Sequence, residues 1–158
     1  MLKTFDVGAA KCGIYAIYIQ DKIVYIGQSG ALTTRTREHE KGIKSGKDNA
    51  PWYPVAHQFY IRNFDISCKV IAQTTQSELL PLEEKYIRTY QPIFNERINY
   101  KETKPVPKTY EEAISLLNLT SRDPVKLEQI ENEERAQHNG WFGEQYAKKE
   151  EFFWWEYE

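Results

Sequence analysis

The sequence predicts an α+β fold (α/β in the broad sense): a small three-stranded sheet flanked by helices, followed by a mostly helical extension. Three observations carry this. The 158 residues are 41% hydrophobic and 28% charged, the balance of a folded globular chain rather than a disordered one. Three short runs rich in β-branched and aromatic residues lie in the first half of the chain. Between and after them, apolar residues recur at helical spacing, bounded by caps and prolines.

The elements follow in order. Gly13 to Ile19 reads as a strand, Gln20-Asp21-Lys22 as a polar turn, and Ile23 to Gly27 as the returning strand of a hairpin. Gln28-Ser29-Gly30 ends the hairpin. Thr33 to Lys47 is charged, starts with hydroxyl residues and reads as a solvated helix. Lys47 to Pro51 is a loop. From Trp52 to Asn63, Trp52, Val55, Ala56 and Phe59 stand at helical spacing. Ile66 to Gln73 alternates, with apolar side chains at 66, 68 and 70, and is the third strand. Ser77 is the expected cap of the next helix, with Leu79, Leu80, Leu82, Tyr86, Ile87 and Tyr90 on or near its buried face, and Pro92 stops it.

Residues 99–108, bearing Lys and Pro, read as a linker between residues 1–98 and an extension over 109–158. Thr109-x-x-Glu112 is a capping box, followed by Tyr110, Ala113, Ile114 and Leu117 on one helix face. Asp123-Pro124 reads as the start of a further helix with a Glu-rich body from Leu127 to Gln137. The tail carries Trp141-Phe142 and Phe152 to Trp155.

Charge is divided unevenly. Residues 1–100 hold 13 basic and 10 acidic side chains, a net +3; residues 101–158 hold 8 and 13, a net −5. A pI near 6.0 argues against a protein that coats nucleic acid non-specifically, and an acidic extension is a poor duplex-binding surface. The expected role of residues 109–158 is to complete the core, to pair two subunits or to bind a protein partner, since aromatic residues dominate interface cores. Cys12 and Cys68 are too few for a disulfide framework or a four-cysteine metal site. No apolar run reaches the roughly 20 residues of a membrane span, and Met1 to Asp6 has none of the apolar stretch of a secretory leader. A cytoplasmic protein with reduced thiols and no membrane association is the expectation.

One constellation stands out. Gly13-Ile14-Tyr15 and Tyr25-Ile26-Gly27 lie on the two hairpin strands, with the tyrosines ten residues apart. Arg35 follows Tyr25 by ten, and His39 follows Arg35 by one helical turn on the same face. Glu83 lies on the later helix, with Ile87 four residues on, and Pro92-Ile93-Phe94-Asn95 closes the segment, placing Asn95 twelve residues after Glu83. Over residues 12–98 this pattern resembles the GIY-YIG endonuclease family.

The resemblance implies the GIY-YIG fold and a metal-dependent phosphodiesterase acting on DNA, with RNA left open as a substrate. A phage, mobile-element or restriction-type nuclease fits it best. The residues it implies suit the chemistry. Glu83 is one carboxylate, enough to hold one Mg²⁺ (or Mn²⁺) that keeps most of its waters and too little for a two-metal clamp. Arg35 presents a donor fork to phosphate oxygens. By the family pattern Tyr15 or His39 is the general base, Tyr25 shares contacts to the phosphate or the water, and Asn95 anchors the site through side-chain hydrogen bonds. Arg37, Lys41, Lys44 and Lys47 read as contacts to flanking phosphates, or as a solvated helix face. His57 falls in a region where some members carry an active-site histidine, without a positional match. Gly30 to Thr34 lacks the basic residue that some members place before the arginine. A module that keeps the fold without catalysis, or one that needs a partner, is the competing reading.

Overall fold

A computed structural model describes Phe5 and residues 7–136; His138 and the aromatic tail from Trp141 lie outside the described residues. The strands are β1 (Gly13–Ile19), β2 (Lys22–Ser29) and β3 (Ile66–Gln73), all antiparallel, in the order β2-β1-β3. The central strand β1 is buried along nearly its whole length, as expected of a run covered on both faces. Lys22 belongs to β2 rather than to the turn.

Side-chain alternation divides the sheet into two unlike faces. Tyr15, Ile17 and Ile19 join a large cluster with Phe59, Phe64 and Phe94, made by α1 (Leu32–Ser45), α2 (Tyr53–Tyr60) and α4 (Tyr110–Leu117). Ile14, Ala16 and Ile26 face the other way, onto Leu79 and Ile87 of α3 (Leu79–Tyr90). Each of the large fully buried side chains, such as Phe59 or Phe94, contributes roughly 1.5–3 kcal/mol of transfer free energy.

The helix α1 carries a buried stripe of Leu32, Thr36, His39 and Ile43, so it is amphipathic and not merely a solvated face. No hydroxyl caps it: Ala31 precedes the first turn, and Ser29 Oγ instead accepts the Ala31 N–H at 2.9 Å. Its C-terminus closes on Gly46 in the left-handed region (φ 68°).

Ser77 does not cap α3. It sits inside a 3₁₀ turn (Gln76–Glu78) that leads into the helix, with its hydroxyl 3.3 Å from Thr75 Oγ1. Of the apolar face expected for α3, Leu79 and Ile87 are buried while Leu80 (67% exposed) and Tyr90 (52% exposed) point outward. This helix packs mainly on β2 and less on β1, so a narrow stripe suffices. Gln91 ends it in the left-handed region (φ 45°), just before Pro92.

Residues 101–108 contain neither helix nor strand, but they are tied down: Thr103 bridges Arg97, and Lys104 Nζ donates to the Pro92 carbonyl. Thr109 Oγ1 accepts the Glu112 N–H at 3.2 Å, and the Glu112 carboxylate accepts from Lys108 N rather than from Thr109 N, a capping box displaced by one residue. The helix expected to start at Asp123-Pro124 starts at 127 and is described to 136. The intervening segment is drawn out along the end of α2, where Val125 N–H donates to the Ile61 carbonyl and the Arg122 guanidinium to the Asn63 carbonyl. Tyr110, Ala113, Leu117 and Ile130 all join the larger cluster. No helix among the described residues is long and apolar enough to cross a membrane.

Candidate active site

The two hairpin tyrosines meet because of one glycine. Tyr15 stands opposite Gly27 in the β1–β2 register, and its ring and hydroxyl occupy the space where a Cβ at position 27 would stand. The Tyr15 hydroxyl therefore reaches across β2 toward α1, where it lies 2.6 Å from His39 Nε2. Arg35 and His39, one turn apart, share the face of α1 that looks at the hairpin.

His39 is wholly buried and held at both ends, with Nδ1 2.9 Å from the Tyr53 hydroxyl at the start of α2. Around it stands an aromatic wall. Tyr25 stacks on Trp52 at 4.8 Å, Trp52 stacks on Phe94 at 5.5 Å, and the Tyr25 ring meets the His39 ring edge-on at 5.2 Å. Burial, aided by the Arg35 charge, pushes the His39 pKa down to about 3, so the imidazole is neutral at pH 7.

Burial pushes the Tyr15 hydroxyl well above the ordinary phenol range, and Tyr25 adds to this. Tyr25 is raised for the same first reason. The positive charge of Arg35 works against both. That guanidinium is partly exposed and also pairs with Glu38 at 2.8 Å.

Glu83 arrives from the other side of the sheet. It lies on α3, which packs against β2, and its charge is felt at Tyr25. Burial pushes its carboxyl up to about 7. No group of three or more His, Cys, Asp or Glu suited to a metal ion occurs among the described residues. A single carboxyl, partly desolvated on α3, fits an ion that keeps most of its own waters.

Asn95 does not point at these groups. Its Oδ1 accepts the Ile26 N–H and its Nδ2 donates to the Ile26 carbonyl, both at 2.8 Å, so the whole amide is spent on the β2 backbone beside Tyr25.

A cleft of about 730 Å³ runs from Arg35 along α1, lined by Lys41, Lys44, Lys47 and Tyr53 and, from the 127–136 helix, by Glu134 and Arg135. Lys44 is committed to Glu134 at 3.5 Å and Glu40 at 3.8 Å. Arg37 is exposed and does not line the cleft. His57 makes its contacts elsewhere: Nδ1 bonds the Ile43 carbonyl at 2.9 Å and the ring packs under Gly46, so it joins α2 to α1. Tyr53 went unmarked in the sequence reading. It sits inside the aromatic run Trp52-Tyr53, which at that spacing reads as core.

A family model described as the GIY-YIG catalytic domain matches residues 11–99. No curated protein and no solved structure matches the chain. The matched span covers more than half of the sequence and holds both hairpin tyrosines, Arg35, His39, Glu83 and Asn95. The chain belongs to the GIY-YIG family, whose catalytic domain is a nuclease domain.

Proposed function

We propose that this protein is a metal-dependent DNA endonuclease that hydrolyses phosphodiester bonds with one divalent ion. The observation that carries the reading is the meeting, around one edge strand, of the hydrogen-bonded Tyr15–His39 pair, the donor-only Arg35 and the desolvated Glu83.

The roles follow from the chemistry of these groups. Arg35 donates to a non-bridging phosphate oxygen and offsets its charge. Tyr15 faces the attacking water. Its pKa is too high for it to act as a standing phenolate, so it takes the water's proton while passing its own to His39 Nε2, which is neutral and able to accept. Tyr25 shares contacts to the water or the phosphate. Glu83 would hold Mg²⁺ or Mn²⁺, and the bound ion supplies charge stabilisation at the phosphate and the leaving oxygen. Asn95 fixes the β2 backbone that carries Tyr25. Lys41 and Lys47 reach flanking phosphates along the cleft.

The test is nicking and linearisation of a plasmid in Mg²⁺ or Mn²⁺, with an EDTA control and with Glu83→Gln beside the wild type. Cleavage by the wild type alone is expected, and discrete fragments would indicate sequence recognition. Absence of cleavage on duplex, single-stranded, branched and RNA substrates would overturn the reading. Equal cleavage by both proteins would remove Glu83 from the site.

A further inference from the structure

Tyr53 makes contacts that a core tyrosine does not need. Its hydroxyl lies 2.9 Å from His39 Nδ1, and its ring fills the space above Gly42 on α1, where no side chain competes with it. It is also part of the cleft wall. Tyr15, His39 and Tyr53 thus form one hydrogen-bonded chain from the hairpin to the cleft.

The chain has a direction. A guanidinium has donors and no acceptor, and the Arg35 charge acts on the Tyr15 oxygen, so the Tyr15 proton is not turned toward Arg35. The single Tyr15 proton is then turned toward His39 Nε2. A neutral imidazole carries one N–H; with Nε2 accepting, that proton is on Nδ1 and points at the Tyr53 oxygen. The Tyr53 proton is left for the cleft.

We infer that Tyr53 is a positioning residue of the hydrolysis proposed above: it holds His39 as the Nδ1–H tautomer and takes up the proton His39 passes on, releasing its own into the cleft. The inference rests on the nuclease reading. The step balances. The water O–H bond breaks and its proton goes to the Tyr15 oxygen; the Tyr15 proton goes to Nε2; the Nδ1 proton goes to Tyr53; the Tyr53 proton goes to water in the cleft. The products are hydroxide at the phosphorus and one released proton, with all three side chains neutral. After product leaves, the chain resets by running backward, a proton entering from the cleft and one leaving at Tyr15 to solvent. A relay of this kind never creates an imidazolium, which burial and the nearby Arg35 charge both oppose at this position.

Two measurements on the full-length protein test this. Imidazole nitrogen NMR shifts, with His57→Gln and His138→Gln variants to assign the three histidine signals, report the His39 tautomer. The Nδ1–H form is expected in the wild type, and a mixture of tautomers in Tyr53→Phe, which keeps the ring over Gly42. In single-turnover cleavage, Tyr53→Phe is expected to slow the reaction by about 100-fold, the share of one proton-transfer partner, with DNA affinity within about twofold of wild type. An Nε2–H tautomer in the wild type, or an unchanged rate in the variant, overturns the inference. A wild type that cuts no substrate overturns the nuclease reading instead, and the tautomer then decides the hydrogen-bonded chain by itself.

Discussion

The two faces of the sheet handle polar chemistry in opposite ways. On the α1/α2 face, Tyr15, His39 and Tyr53 are buried among aromatic rings and satisfy one another, and their shifts all favour the uncharged forms. The buried α3 face is aliphatic, built from Ile14, Ala16, Ile26, Leu79 and Ile87, and it contributes the Glu83 carboxyl, raised by burial. The first face is complete as a hydrogen-bonded set. The second presents a single carboxyl whose proton affinity burial has raised. A hydrogen-bonded set of neutral groups and a lone carboxyl need different surroundings, and the sheet keeps them apart while its edge strand brings their ends together.

The largest expected effect tests the second face. Glu83→Gln should lower metal-dependent cleavage by about 1000-fold or more, since charge stabilisation at the phosphate is worth several kcal/mol. The thermal midpoint of the metal-free protein should not fall, because the substitution removes a desolvated charge and no packing. A large drop in that midpoint would mean the carboxylate is structural and the contrast false.

Next comes the clamp that joins the faces. Asn95→Ala strips both hydrogen bonds from the Ile26 backbone and should cost about 2 kcal/mol in urea unfolding. Unchanged stability would show that water replaces the amide at no penalty.

The neutrality of the first face predicts a pH dependence. The His39 pKa is lowered from 6.5 to about 3 on folding, so the unfolded chain binds the extra proton. Stability attributable to this group is present above pH 6.5 and is lost as pH falls toward 3. At pH 5.5 the loss is about 1.4 kcal/mol. Urea unfolding across this window should show that slope as the difference between the wild type and His39→Gln, because Glu83, raised to about 7, adds a slope of opposite sign to both proteins.

The smallest effect concerns reach beyond the site. Lys41→Gln with Lys47→Gln should lower the slope of log affinity for DNA against log salt by about 2, with little change in the rate at saturation. An unchanged slope would make these lysines a solvated helix face.

Much of this was legible in the sequence. The hairpin was, because β-branched and aromatic runs flank a polar turn, and the Arg35–His39 pair was, because one helical turn separates them. Asn95 as an anchor follows from the family pattern, but its partner, the backbone of Ile26, depends on how the chain after α3 returns to β2. Tyr53 was hidden because its hydroxyl matters only once α1 and α2 are packed together; along the chain it is one more aromatic in a core run. Leu80 and Tyr90 misled for the converse reason, since a helix that touches two strands needs fewer buried positions than its apolar content offers. The solvated reading of α1 failed because Thr36, His39 and Gly42 count as polar or neutral by composition and are buried by packing.

The Asn95 amide has a consequence outside catalysis. By pairing with both backbone groups of Ile26 it imitates a residue of a neighbouring strand, and the Phe94 N–H does the same for the Val24 carbonyl. The β2 margin is thereby occupied where an extended peptide or a second copy of the chain would otherwise template onto it. Intermolecular strand addition, the usual hazard of an unpaired margin, is blocked there by two residues of the protein's own chain.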